Sequence, residues 1–94
     1  MNTPREAVDR KEQLTADYIT LNEKLKVISR RKPIVWMEMR KLSKNGKETD
    51  MAWYASDMGM EEVEIKLSMK AIEKEISSLN SYLKNAENEA RNLY

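Results

Sequence analysis

The chain contains no cysteine and no histidine. The first absence removes disulfides, a thiolate nucleophile and any cysteine-ligated metal; the second removes the usual general base near neutral pH and the commonest zinc ligand. Phenylalanine is also missing, and glycine and proline occur only twice each, so little interrupts a helix. There is no glycine-rich phosphate loop, no nucleophile beside a base and no pair of acids at a defined separation. These gaps point away from an enzyme, and no cofactor is expected. The opening Met1-Asn2-Thr3-Pro4-Arg5-Glu6 is polar and leads into no long apolar run. Neither a signal peptide nor a membrane span is expected, which makes the cytoplasm the expected compartment.

The 94 residues are 40% hydrophobic and 35% charged. That is enough for one small domain with a thin core. The abundance of Glu, Lys, Leu, Met and Ala favours long helices. In the second half, Ile65, Met69, Ile72, Ile76, Leu79, Leu83, Ala86, Ala90 and Leu93 recur at alternating steps of four and three, which keeps them on one helical seam. With Met58 and Glu62 in front, the seam defines a helix over about residues 58–94.

The first half carries a matching seam. Thr3-Pro4-Arg5-Glu6 forms a capping box with proline at the first helical position. From Ala7 the same spacing reaches Lys11, Leu14, Tyr18, Leu21, Leu25, Ile28, Lys32, Val35, Met39 and Leu42, and this phase continues past Pro33. A helix over about residues 4–44 is therefore expected, kinked near Pro33 or divided there into two nearly collinear pieces. The apolar, partly β-branched run Ile34-Val35-Trp36-Met37 leaves a strand over 34–42 as the alternative. Asn45-Gly46 is expected to end the helix in a left-handed conformation, and Thr49-Asp50 to cap a short helix in the tip, residues 45–57.

The expected fold is all-α: a long antiparallel, coiled-coil-like hairpin with a short helix at its tip. Antiparallel pairing sets Ala7 against Leu93, Leu14 against Ala86, Leu21 against Leu79, Ile28 against Ile72, Val35 against Ile65, and Leu42 against Met58. It also brings Lys11 beside Glu89. Flanking Val8, Ile19, Val27, Ile34, Val63, Leu67 and Ala71 widen each stripe, so either Met51, Trp53 and Tyr54 fold back over the hairpin or a second copy makes a four-helix arrangement. A homodimer is expected.

The near-neutral total hides an asymmetry. Residues 24–47 hold nine Lys or Arg and one acid, Glu38, for +8, and the remainder carries −7. Lys24, Lys26, Arg30, Arg31, Lys32, Arg40, Lys41 and Lys44, with Trp36 available to stack on a base, form a candidate nucleic-acid contact. The competing reading is a solvated face partly neutralised by Glu61, Glu62 and Glu64. Met51, Trp53, Tyr54 and Met58 are the candidate protein-binding residues, or else a cap over the hairpin's open end. Glu61, Glu62 and Glu64 point in different directions along a helix, so no metal site is expected.

Ile34-Val35-Trp36-Met37-Glu38-Met39-Arg40, the Thr49-Asp50 helix start, Leu67-Ser68-Met69-Lys70-Ala71-Ile72-Glu73-Lys74-Glu75-Ile76-Ser77-Ser78-Leu79 and the ending Glu87-Asn88-Glu89-Ala90-Arg91-Asn92 set up a resemblance. Over about the last two thirds, the chain resembles short helical proteins of phages and prophages encoded among early replication and recombination genes. Most of that group has no assigned activity, and the resemblance transfers no site residue. It implies a non-enzymatic interaction protein that binds a component of DNA metabolism or of host defence. The alternatives are a nucleic-acid-binding accessory protein using the basic band and a structural coiled-coil oligomerisation module.

Overall fold

A computed structural model describes residues 3–92. Its elements are three helices: α1 over Pro4–Leu42, α2 over Gly46–Ala55 and α3 over Asp57–Asn92. The molecule is 69 Å long and only 20 by 16 Å across, as two long helices lying side by side require. The expected all-α hairpin with a helical tip is the observed fold. Leu93, and with it the Ala7–Leu93 pairing, lies outside the described residues.

α1 starts as its sequence dictates. Thr3 is extended and its hydroxyl accepts a hydrogen bond from the Glu6 N–H at 3.2 Å, while Pro4 fills the first turn, where an N–H would have no partner. The helix continues through Pro33, so the strand alternative over 34–42 falls and α1 is one helix. Packing explains why proline is tolerated: Ile28 is buried on one side of it and Val35 and Met39 pack against the same core on the other. Pro33 still leaves the Ser29 carbonyl without its helical donor.

The first turn of the tip differs from expectation. α1 ends at Leu42, and Ser43 closes it in an extended conformation, its N–H donating to the Arg40 carbonyl at 3.3 Å. No glycine among the described residues has a positive φ. Asn45, expected to end α1, instead starts α2 by accepting from the Glu48 N–H at 2.9 Å. The Asn45 side chain wins because it satisfies a donor that a left-handed turn would leave open. Thr49, expected as a cap, is fully buried inside α2, where its hydroxyl donates to the Asn45 carbonyl at 3.0 Å.

Ser56 is the whole joint between α2 and α3. Its N–H donates to the Trp53 carbonyl, closing α2, and its hydroxyl accepts from the Gly59 N–H at 3.1 Å, opening α3. Gly59 is buried against the end of α2, where a Cβ would collide with the Trp53 carbonyl. The helices can turn back on each other this sharply only because that side chain is missing.

The seams are the expected ones, but their register is displaced by one heptad. Leu14 shares a cluster with Leu79, not Ala86, and Ile28 shares one with Ile65, not Ile72. Met58 flanks the same groove as Val35. The cause is α2. A ten-residue helix needs about 15 Å. α1 therefore overhangs the start of α3, and α2 packs into the space. Leu42, expected against Met58, sits on the overhang at 92% exposed. The Lys11–Glu89 pairing falls with the old register; the root is tied by Arg10 Nε to Glu75 Oε2 at 2.7 Å.

Candidate functional site

At the tip, α2 closes the hairpin with Trp53. This side chain is fully buried and belongs to the cluster of Ile28, Ile65 and Met69. Trp53 therefore acts as the cap and is unavailable as a partner-binding residue, because its burial within the chain removes the surface it would offer. Met58 is half-buried against the same cluster, whereas Met51 and Tyr54 remain exposed.

One carboxylate organises the closure. Glu62 is 3% exposed, on the seam of α3. Its Oε1 accepts from Lys32 Nζ at 3.2 Å and from Trp53 Nε1 at 3.3 Å, and Lys66 Nζ lies 3.9 Å away. Lys32 Nζ also stands 5.2 Å from the Trp53 ring centre and 5.8 Å from that of Tyr54, within reach of cation–π attraction. All three helices meet in this network, and no buried side-chain polar atom among the described residues lacks a partner. A buried charge is tolerable only with such partners.

The network separates Lys32 from the rest of the basic band, since its ammonium already serves Glu62. Trp36 is also engaged: it is half-buried and its Nε1 donates to Asp50 Oδ1 at 3.0 Å. Lys26 pairs with Glu23 at 3.3 Å, and Arg40 donates to the Ser43 carbonyl at 3.2 Å. Lys24, Arg30, Arg31, Lys41 and Lys44 are exposed, without an ion pair among the described residues. On α1, Lys24, Arg30, Arg31 and Lys41 fall within about a third of the helix circumference, and Lys44 lies beyond the end of the helix. Lys24 and Arg31 flank a groove with Glu61.

Beside the network a groove of about 530 Å³ opens between α1 and α3, lined by Ser29, Lys32, Pro33, Trp36, Met37, Glu62 and Lys66. Met37, Tyr54, Met60, Val63 and Leu67 are all exposed. Met60, Val63 and Leu67 follow a helical spacing on α3, with Val63 and Leu67 adjoining Lys66.

Toward the root, two polar contacts shift proton affinities. The hydrogen bond from Arg10 holds Glu75 below the ordinary carboxylate value, its charge adding to this while desolvation opposes it. Tyr18 donates to Glu73 Oε1 at 2.9 Å, and chiefly for that reason its phenol is pushed above its ordinary value.

The fold and site define a helical hairpin closed at one end by an aromatic cap, with a groove left open beside it. No family model matches the chain, and no curated protein or solved structure matches it significantly.

Proposed function

We propose that this chain is a non-enzymatic interaction protein that works by binding another protein at the tip of the hairpin. The observation carrying this reading is the set of large apolar side chains, Met37, Tyr54, Met60, Val63 and Leu67, that stay uncovered after α2 has closed the end. Exposed apolar groups of this size, with Met37 lining a charged groove, suit a protein contact. The resemblance to phage and prophage proteins favours a partner in DNA metabolism or in host defence. The commitment of Lys32 and Trp36 to internal contacts weighs against the nucleic-acid reading.

A photo-crosslinking amino acid in place of Leu67, expressed in the host cell, tests the proposal. A discrete protein adduct is expected, lost on Met37→Glu and not formed from a crosslinker at Val27. Adducts to nucleic acid, or DNA binding that falls steeply with salt and disappears in Lys26→Glu/Arg30→Glu/Lys41→Glu, would transfer the function to the basic band.

A further inference from the structure

The two flanks of the hairpin differ in kind. Along α1, the row one residue past the seam is Val8, Thr15, Asn22, Ser29 and Trp36, and none of them is charged. The row three residues past the seam, on the opposite flank, is Arg10, Asp17, Lys24, Arg31 and Glu38, charged throughout. Solvent-facing flanks of paired helices ordinarily carry charge, as this second row does, with Arg10 paired to Glu75 and Glu61 beside Lys24 and Arg31. The uncharged row instead widens the stripe to the breadth of a helix that faces more than one neighbour.

That row is also the wall of a line of grooves. They are lined by Val8, Thr15 and Leu83 at the root, by Thr15, Tyr18 and Ile76 further on, and by Ser29, Pro33 and Trp36 near the tip. From Val8 to Trp36 the line spans about 42 Å. On a molecule 16 to 20 Å across, such a face amounts to about 800 Å², one side of a standard protein interface.

We infer that this flank packs against a second copy of the chain, turned end for end. The inference goes beyond the proposed function and is independent of it, because Met60 and Leu67 lie on the side of α3 away from α1. Surface area argues for a copy. The chain exposes 7317 Å², about 1,700 Å² more than a folded monomer of 11.0 kDa, and burying this face recovers about half of the excess. Charge sets the direction. Residues 24–70, the tip half, hold eleven Lys or Arg and seven acids, for +4, while the remainder holds six and nine, for −3. An end-for-end copy lays each tip on the other's root, whereas a copy pointing the same way sets +4 on +4. The uncharged row is itself symmetric: with a two-fold axis at Asn22, Val8 meets the second copy's Trp36, and Thr15 meets its Ser29. The small side chains at its centre let the two α1 helices approach closely. On the α3 wall, Lys66 of one copy and Glu73 of the other come within one turn of each other across the same axis. An uncharged row offers nothing to a phosphate backbone.

Sedimentation of the purified full chain tests this, and a mass of twice 11.0 kDa is expected. Thr15→Glu/Ser29→Glu sets like charges over each other and should weaken association about a hundredfold or more. Thr15→Glu/Ser29→Lys carries as many charges, sets opposite signs together and should keep the dimer. Both positions are exposed in the single hairpin, so helicity by circular dichroism should stay unchanged in either variant. Asn22→Cys should link two copies readily under mild oxidation, and Ser29→Cys alone should not. The inference is overturned by a single-chain mass up to millimolar concentration, by equal masses for the two charge variants, by a dimer that Val27→Glu breaks and Thr15→Glu/Ser29→Glu does not, or by self-linking of Ser29→Cys without that of Asn22→Cys. A dimer with no Leu67 adduct in cells rejects the proposed partner alone; an adduct from a chain that stays single rejects the dimer alone.

Discussion

Lys32 and Glu62 stand 3.2 Å apart at the point where all three helices meet, the ammonium one-third exposed and the carboxylate nearly fully buried. Each is the polar intrusion in an otherwise apolar stretch of its seam. Replacing Glu62 by Ala leaves the Trp53 N–H buried without an acceptor and Lys32 without its charge partner, and should cost about 1–3 kcal/mol in urea unfolding. Glu62→Gln keeps an acceptor for Trp53 and should cost less. Equal losses for the two variants would mean that the hydrogen bond to Trp53 contributes nothing.

The two glycines should respond in opposite ways. Gly59→Ala drives a methyl into the Trp53 carbonyl, and because the obstacle is backbone the α2–α3 joint has to open. A loss of about 2–3 kcal/mol is expected, with a red shift of tryptophan fluorescence as Trp53 becomes wet. Gly46→Ala meets nothing within 4 Å and should be neutral or slightly stabilising in thermal melts.

Paired cysteines test the register. Leu14→Cys with Leu79→Cys should crosslink readily under mild oxidation, and Leu14→Cys with Ala86→Cys should not. Likewise Leu14→Ala should cost about 2–5 kcal/mol, whereas Leu42→Ala, on the exposed overhang, should leave unfolding unchanged. Fast crosslinking to position 86 would restore the pairing that places Leu42 against Met58.

The root should weaken toward both pH extremes. Glu75 has a folded-state pKa below its unfolded one, so its contribution is present above the unfolded value and is lost as pH falls through the folded value. Tyr18 has a raised folded-state pKa; its contribution is present below the unfolded value and lost as pH rises through the folded one. Chemical denaturation across pH should show the acid-side loss reduced in Glu75→Gln and the alkaline-side loss reduced in Tyr18→Phe.

Helix spacing carried most of this fold. Both seams, the Thr3 cap and the hairpin could be read directly, because period and capping are local properties. Register could not, because leucine-like residues repeat every seven positions and a one-heptad slip satisfies the same pattern. The polar intrusions held the missing information. Matching Lys11 to Glu89 selects the wrong alignment, while matching Lys32 to Glu62 selects the observed one. Trp53 was legible as either cap or partner contact, and only the position of α2 decides between them. The groove escaped sequence reading altogether, since it depends on which flank of Pro33 faces α3.

The single-residue joint at Ser56 has a mechanical consequence. The tip is riveted by Trp53, Glu62 and Gly59, while the far end relies on Ala7, Leu14 and Leu79 with an ion pair beside them. The molecule is thus a pair of tongs: thermal opening starts at the free ends of α1 and α3 and runs toward a pivot that stays shut. Amide hydrogen exchange should slow step by step from the root to the Trp53 pivot, so that the last part to melt is the part that holds the groove in shape.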